Sequence, residues 1–243
     1  VQNVCMRRSG AAHVPIFLFM PASHSVLQTE SFATADIKFA YQDGSMLVIN
    51  KPSGLLSVPG RGSDKQDCAS SRVQALFADA LIVHRLDMAT SGLMVMARGI
   101  EAQRQLSIAF RDRAVCKRYI ALVAGHVKSA EGLIDLPLMA DWPNRPRKKV
   151  DLENGKPSIT RYTVLQYNAR DDMTRVALEP VTGRSHQLRV HMQALGHAIV
   201  GDALYASELV RDQSPRLMLH AQSLIVPHPL TAERMCFISE APF

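Results

Sequence analysis

The feature that most constrains the fold of this chain is a series of short apolar runs separated by polar turns. Their length and bounding turn residues are typical of strands rather than of long buried helices. The predicted strands are Met46–Asn50, Leu93–Ala97, Tyr119–Ala124, Ile134–Leu136, Ser158–Gln166, Thr174–Glu179, Leu217–Val226 and Arg234–Ile238. Helical spacing of apolar residues recurs at irregular intervals, in Ala69–Asp79, Gly99–Arg113 and Ser185–Leu195. Because strands and helices do not alternate strictly, we predict an α+β fold around a largely antiparallel mixed sheet flanked by helices and loops.

Two segments interrupt this pattern. Residues 141–156 are rich in Pro, Arg, Lys and Asn and hold the single tryptophan, Trp142, so we predict a basic loop there. Near the N-terminus, Val14–Met20 follows two arginines in the outline of a signal peptide, but Pro15 interrupts it and no clear cleavage site follows. We therefore predict a poorly ordered extension over residues 1–35 and one folded domain over residues 36–243.

Charge and cysteine content narrow the classes of partner and compartment. The chain has 28 Lys and Arg against 22 Asp and Glu, a formal charge of +6. Such a balance favours polyanionic partners, because Lys and Arg displace counterions from phosphates, although many basic proteins bind no nucleic acid. The 4 cysteines form no C-x-x-C pair, which argues against a thiolate zinc site or a disulfide framework and favours free thiols in a reducing cytoplasm. No apolar run is long enough to span a membrane.

The first polar cluster that could carry chemistry is His84-Arg-Leu-Asp-Met-Ala-Thr-Ser-Gly92, a loop between two predicted strands. A carboxylate in such a loop, here Asp87, can serve as a nucleophile or a general base. From residue types alone the simpler interpretation is a structural ion pair or a turn cap. In the functional interpretation, an arginine neighbour favours the ionised carboxylate that a nucleophile needs.

The second cluster, Thr182–His191, is an arginine-bearing turn that we predict to open a helix capped by Ser185 and closed by Gly196. On that helix Arg184 would share one face with residues four and seven positions later.

The histidines of this cluster do not predict a metal site. His186 and His191 are five positions apart, about 140° on a helix, and no His-Glu-x-x-His occurs. We expect hydrogen-bonded or core-edge histidines and no metal. Tyr119, at the start of a predicted strand, is either a half-buried sheet aromatic or a stacking platform for a base that has left its helix.

The cluster His84–Gly92 resembles the catalytic motif of the RluA family of RNA pseudouridine synthases. Five further segments resemble the family's other motifs, in the family's order: Asn50-Lys-Pro-Ser-Gly54, Lys117-Arg-Tyr-Ile-Ala-Leu-Val-Ala-Gly125, Gly183-Arg-Ser-His-Gln-Leu-Arg-Val-His191, Gly201-Asp-x-x-Tyr205 and Leu219-His-Ala221. The resemblance covers residues 38–243 and favours the functional interpretation of the first cluster. It implies the pseudouridine synthase fold, an active-site cleft across the sheet and no cofactor.

The resemblance also implies roles for single residues. Asp87 is the expected nucleophile, Arg184 its ion-pair partner and Tyr119 the aromatic that stacks on the target base. Arg85 is expected to enter the space left by the flipped nucleotide, and Leu219 to pack near the base. The other expected RNA- or base-binding residues are His84, Thr90, Arg145 and Arg147. Whether the aspartate attacks C1′, assists formation of a glycal or adds to C6 of the uracil stays open.

A narrower resemblance concerns the choice of RNA. The segments Leu56–Gly60, Asp87–Gly92 and Asp141–Pro146 resemble members with dual specificity, for position 32 of tRNA anticodon stem-loops and position 746 of 23S ribosomal RNA. Residues 1–35 are too few for the S4-like RNA-binding domain of many relatives, so we expect a monomer that reads a compact RNA fold with its catalytic domain alone. The alternatives are a single different tRNA or ribosomal target, or a catalytically silent RNA chaperone.

Overall fold

The protein is built on one ten-stranded sheet and a separate two-stranded hairpin, in a computed structural model that describes residues 37–243. The predicted extension, residues 1–35, lies outside the described residues. The strands are β1 (Lys38–Gln42), β2 (Met46–Lys51), β3 (Ala80–Ile82), β4 (Ser91–Arg98), β5 (Cys116–Ala124), β6 (Glu131–Asp135), β7 (Leu138–Ala140), β8 (Lys148–Val150), β9 (Ile159–Asn168), β10 (Met173–Pro180), β11 (Leu219–Pro227) and β12 (Arg234–Ile238).

The sheet is mixed but largely antiparallel, as predicted. Its central order is β1-β2-β4-β11-β5-β10-β9-β6, with β3 paired to β4 and β12 to β11, while β7 and β8 form the hairpin. The pairing of β4 with β11 is parallel, and the other pairings between these strands are antiparallel. The helices are α1 (Ala69–Gln74), α2 (Ile100–Arg111), α3 (Gln187–Ala194) and α4 (Glu208–Arg211). No helix of residues 37–243 is long and apolar enough to cross a membrane.

The half of the sheet around β2 and β4 is buried on both faces, which explains its continuous apolar runs. Alternate side chains of β4 pack against α2 on one face and α1 on the other. The first set is Leu93, Val95 and Ala97, and the second is Met94 and Met96. In α2 the inward side chains are Ala102, Leu106 and Ala109, which follow helical spacing as predicted.

The other half of the sheet packs against α3. Leu188 and Met192 enter a core formed with β5 and β10, including Val123 and Leu178. Because this helix covers the sheet beside the end of β10, the turn before it comes to lie next to Tyr119 in β5.

One row of paired residues crosses the sheet at the level of the polar clusters. It runs Lys51, Gly92, Ala221, Tyr119, Leu178, Tyr162 and Gly132, one residue from each of β2, β4, β11, β5, β10, β9 and β6. Gly92 has φ +113, and a Cβ built there would lie 2.4 Å from the carbonyl oxygen of Ala221. This position therefore requires glycine, since any side chain would push the two central strands apart.

Several elements differ from those predicted. The loop predicted over residues 141–156 contains the second strand of a hairpin, β8, and its turn spans residues 141–147. Helix α1 ends at Gln74 rather than Asp79. Helix α3 begins at Gln187, because the predicted cap, Ser185, is followed by His186 in the left-handed conformation, φ 58. Gly196 does close that helix, with φ +90.

Candidate active site

The two polar clusters meet in one open cavity of about 590 Å³ beside the central row of the sheet. Seven of the nine predicted site residues line it: His84, Arg85, Asp87, Thr90, Tyr119, Arg184 and Leu219. The other two, Arg145 and Arg147, lie in the hairpin turn, and Pro146 between them lines the cavity.

The loop that carries Asp87 is held from behind by Lys51 and by Ser57, which follows the Asn-Lys-Pro segment. The hydroxyl of Ser57 accepts a hydrogen bond from the amide of Leu86 at 3.0 Å and donates to the carbonyl of the same residue at 2.7 Å. The ammonium of Lys51 donates to the carbonyl of Met88 at 3.1 Å and to those of Pro52 and Leu55, each at 2.8 Å. Both backbone flanks of the carboxylate are thereby fixed.

Lys51, which makes these three hydrogen bonds, is fully buried. Burial lowers its pKa to about 7, against the opposing effect of the negative charge of Asp87. A buried ammonium with three carbonyl acceptors and a carboxylate nearby fits the requirement that buried charges be hydrogen-bonded.

Asp87 faces two groups from the second cluster. Its Oδ2 lies 3.6 Å from Nη1 of Arg189, and its Oδ1 lies 4.0 Å from Nε2 of His186. Arg189 is itself 5% exposed and makes a bidentate pair with the fully buried Asp202, with both N–O distances 2.7 Å. The neighbouring carboxylates offset its burial and raise the pKa of Arg189, so it is a permanent cation. The bidentate pair with Asp202 therefore holds the guanidinium of Arg189 in a fixed position beside Asp87.

The arginine beside Asp87 is thus Arg189 and not Arg184, which corrects the expected pairing. Among the described residues no ion pair joins Arg184 to Asp87. Arg184 lies in the turn before α3, where its backbone amide donates to the side chain of Gln187 at 3.0 Å and its Nε reaches the carbonyl of Pro157 at 3.4 Å. The helix begins at Gln187, two residues after the predicted start at Ser185, and Arg184 stands in the turn before it at the exposed rim of the cavity.

Tyr119 and Leu219 form an apolar wall of the cavity. Burial, with the nearby charge of Asp87, raises the pKa of Tyr119, so its phenol stays neutral. Leu219 is 3% exposed and lies in β11, the strand between the two halves of the sheet. The ring and the leucine together offer a flat apolar surface beside a carboxylate.

His84, Thr90 and Arg85 lie in the same loop with different exposure. The Nε2 of His84 accepts from the amide of Val95 at 3.0 Å, and its ring stacks on Phe110 with centroids 4.5 Å apart. Burial lowers the pKa of His84 to about 3, so at neutral pH it is an uncharged part of the wall. Thr90 is buried and its amide donates to the carbonyl of Asp87, whereas Arg85 is exposed.

The two arginines of the hairpin turn do not line the cavity, although Lys148 of β8 does. The guanidinium of Arg145 lies 3.3 Å from the ring centre of the exposed Trp142, and that of Arg147 lies 5.5 Å from the ring centre of Tyr205. Both arginines are therefore carried on aromatic surfaces at the edge of the site.

Metal ligands do not gather in residues 37–243, where no group of three or more His, Cys, Asp or Glu could hold an ion. His191 is fully buried and bonded to Thr160 and to the carbonyl of Leu136, as expected for a core-edge histidine. The cysteines of this part of the chain are Cys68, Cys116 and Cys236, all free.

Four residues of the site were not assigned from the sequence: Arg189 and His186 beside Asp87, Lys51 behind its loop, and Lys117 in the cavity lining. Arg189 and His186 belong to the same motif as Arg184. Asp202 of the Gly-Asp-x-x-Tyr segment could have indicated Arg189, because a buried acid needs a buried basic partner. Chemically, the arrangement offers a held carboxylate, a permanent cation and a neutral aromatic face around a space open to solvent.

Comparison with known proteins identifies relatives over most of the chain. A family model described as RNA pseudouridylate synthase matches residues 45–194. The dual-specificity RNA pseudouridine synthase RluA of Escherichia coli strain K12 is 54% identical over 203 residues, which cover 84% of this chain and 92% of that protein. The proteins of the same name from Yersinia pestis and Haemophilus influenzae are 54% and 48% identical, again over 84% of this chain and over 98% and 92% of their own lengths.

Solved structures agree with the fold. Human RNA pseudouridylate synthase domain containing 1 superposes with a TM-score of 0.74 at 31% identity, covering 88% of this chain and 87% of its own. Human RNA pseudouridylate synthase domain containing 4 gives a TM-score of 0.67 at 27% identity, covering 84% and 88%.

Proposed function

Because this chain belongs to the RNA pseudouridylate synthase family and is thus an isomerase that acts on uridine in RNA, we propose that Asp87 is its nucleophile, within a catalytic domain that spans residues 36–243. The observation that supports this most directly is the position of the carboxylate, in the cavity between Arg189 and His186 and near the ring of Tyr119.

The proposed reaction is an exchange of one glycosidic bond for another. The N1–C1′ bond of the uridine breaks, the detached uracil turns within the cavity, and a C5–C1′ bond forms. C5 gives up its hydrogen as a proton and N1 gains one, so atoms and charge balance without a redox partner. The carboxylate of Asp87 attacks C1′ or assists formation of a glycal, and addition at C6 remains the alternative.

The neighbouring residues have proposed roles that follow from their contacts. Arg189 holds Asp87 ionised and oriented, because its other contacts fix the guanidinium in place. Tyr119 and Leu219 hold the flipped uracil, and stacking on the ring returns about 1–3 kcal/mol of the cost of leaving the helix. Arg85, Arg184, Arg145 and Arg147 are exposed or half-buried at the rim, where they suit contacts with RNA phosphates. Thr90 shapes the turn, and His84 contributes as an uncharged part of the wall.

For the substrate, we propose dual specificity towards a tRNA anticodon stem-loop at position 32 and 23S ribosomal RNA at position 746. Support comes from the dual-specificity RNA pseudouridine synthases that are up to 54% identical to this chain and from the three segments that resemble dual-specificity members. A single target remains the alternative. The proposal also includes that the enzyme is a monomer, that it works without a metal and that it acts in the cytoplasm. Sedimentation of the active enzyme tests the oligomeric state, and metal analysis tests the absence of a metal.

The deciding experiment is tritium release from RNA that carries 5-³H-uridine. Release reports the chemistry, because C5 loses its hydrogen only when it becomes the glycosidic carbon. We expect release from the anticodon stem-loop and from a 23S fragment with the wild-type chain, and none with Asp87→Asn.

RNA affinity serves as the control, since Asp87→Asn should bind the stem-loop nearly as tightly as the wild type. An Asp87→Asn variant that keeps most of the rate would refute the nucleophile assignment. Release from one RNA alone would refute dual specificity, and tight binding with no release from either RNA would favour the chaperone alternative.

A further inference from the structure

The hydroxyl of Tyr205 joins the basic hairpin to the second cluster. Tyr205 is 4% exposed, and its oxygen accepts a hydrogen bond from the backbone amide of Lys148 in β8 at 2.7 Å. The same oxygen lies 2.7 Å from Nδ1 of His186. The ring of Tyr205 also lies under two guanidinium groups, 5.0 Å from Arg189 and 5.5 Å from Arg147.

These contacts favour one of the two neutral forms of His186. The amide of Lys148 can only donate, so it uses an acceptor site of the Tyr205 oxygen and leaves the phenolic hydrogen to be given elsewhere. Among residues 37–243, the other hydrogen-bond partner of the Tyr205 oxygen is Nδ1 of His186. Burial raises the pKa of Tyr205, which keeps the hydrogen on the oxygen. A neutral His186 that accepts at Nδ1 carries its own hydrogen on Nε2.

That Nε2 is the atom nearest Asp87, 4.0 Å from Oδ1. The distance is too long for a hydrogen bond in this structure, but such contacts often tighten when substrate closes an active site. The backbone of His186 is in the left-handed conformation, with φ 58. This conformation is uncommon outside glycine, and strained residues of this kind cluster at functional sites. The charged groups that face the ring are Asp87, Arg189, Asp202 and Lys148.

We propose that Tyr205 and His186 are positioning residues that hold the second oxygen of the Asp87 carboxylate, with Tyr205 setting the Nε2–H form of His186. Arg189 holds Oδ2 and His186 donates to Oδ1, so the carboxylate plane is fixed from two directions. Since Lys148 belongs to the hairpin, the contact also ties the orientation of the nucleophile to the position of the hairpin. This inference rests on the proposed role of Asp87.

The first test compares Tyr205→Phe with Tyr167→Phe, whose hydroxyl bonds to Asp172 on the exposed turn between β9 and β10. With the stem-loop substrate we expect kcat of Tyr205→Phe to fall about tenfold, which corresponds to about 1.4 kcal/mol, with KM changed little. Tyr167→Phe should keep both values. A kcat of Tyr205→Phe equal to that of Tyr167→Phe would overturn the proposal.

The second test observes the tautomer directly, without catalysis. In protein carrying ¹⁵N-histidine, we expect the ring signals assigned to His186, by their loss in His186→Gln, to report the Nε2–H form. In Tyr205→Phe they should shift towards a mixture of the two neutral forms. An Nδ1–H form in the wild type would refute the proposed direction of the Tyr205 hydrogen bond.

The third test separates the Nε2 donor from the backbone requirement at position 186. Glutamine reaches the place of Nε2 with an N–H group, whereas asparagine tolerates the left-handed backbone but stops short of it. We expect His186→Gln to keep several-fold more kcat than His186→Asn, with similar Tm values. Equal kcat in the two variants would overturn the donor role. Retained turnover in Asp87→Asn would instead remove the nucleophile on which the inference rests.

Discussion

At the scale of the residue, Arg184 and Arg189 belong to one motif yet differ in burial and in partners. Arg184 is exposed at the rim, whereas Arg189 is buried between two carboxylates. We expect Arg189→Lys to lower kcat by on the order of 100-fold, because a lysine cannot make the bidentate pair with Asp202 and still face Asp87. The matched Arg184→Lys should keep kcat near the wild-type value, since the rim charge is retained.

Steady-state tritium release at saturating RNA, with Tm measured beside it, tests this pair of variants. If Arg184→Lys lost kcat and Arg189→Lys kept it, the result would support the pairing of Arg184 with Asp87 that was first expected from the motif. Unfolding of Arg189→Lys would show up as a lowered Tm, and Asp202→Asn then provides a second way to release the guanidinium.

The location of Asp87 and Tyr119 in one cavity could be predicted because each stands in a short motif whose order along the chain is itself specific. The partner of Asp87 could not, because it depends on where α3 begins. That start is set by Gln187, whose side chain accepts from Thr182 at 2.7 Å and donates to the carbonyl of Ile159 in β9 at 2.9 Å. The contact with Ile159 joins parts of the chain that are 28 residues apart, and local helix signals such as Ser185 carry no information about it.

At the scale of the element, the junction of β4 and β11 depends on Gly92. We expect Gly92→Ala to lower the free energy of unfolding by about 3 kcal/mol, since its Cβ would strike the backbone of Ala221 and its φ of +113 is strained for alanine. Gly44→Ala is the control, because a Cβ there meets nothing within 4 Å and its φ is not in the left-handed region.

Urea denaturation of the two variants gives the comparison. If Gly92→Ala were no less stable than Gly44→Ala, the close approach of the two central strands would be contradicted.

Most strands could be predicted because their apolar runs are bounded by turn residues, as at β2 and β4. The hairpin β7–β8 could not, because its second strand, Lys148–Val150, begins with two lysines and its turn is dense in proline and arginine. Its stability comes instead from outside the segment, in the contact of Lys148 with Tyr205 and the packing of Leu138 against Val190.

At the scale of the whole molecule, a second groove of about 930 Å³ adjoins the active-site cavity and shares Lys117 and Arg184 with it. Six cationic side chains line this groove against two carboxylates: Arg111, Arg113, Lys117, Arg118, Arg161 and Arg184 against Glu179 and Glu240. We expect RNA affinity to fall steeply with salt, and the double variant Arg113→Gln, Arg161→Gln to flatten the slope of log K against log salt by about 1.5.

Arg170→Gln, on the turn between β9 and β10 and outside both cavities, is the control for this titration. Binding isotherms of the stem-loop at several salt concentrations give the slopes. Slopes that are the same for the double variant and the wild type would place the RNA backbone elsewhere.

The central row of the sheet also has a consequence for how the enzyme is made. Gly92 and Tyr119 are joined through Ala221 of β11, which lies 129 and 102 residues after them in the sequence. A chain growing from its N-terminus cannot join β4 to β5, and so cannot close the sheet beside Asp87, until β11 has been synthesised. We therefore expect a form of the chain that lacks β11 to be inactive, because the strand between the two halves of the sheet is missing.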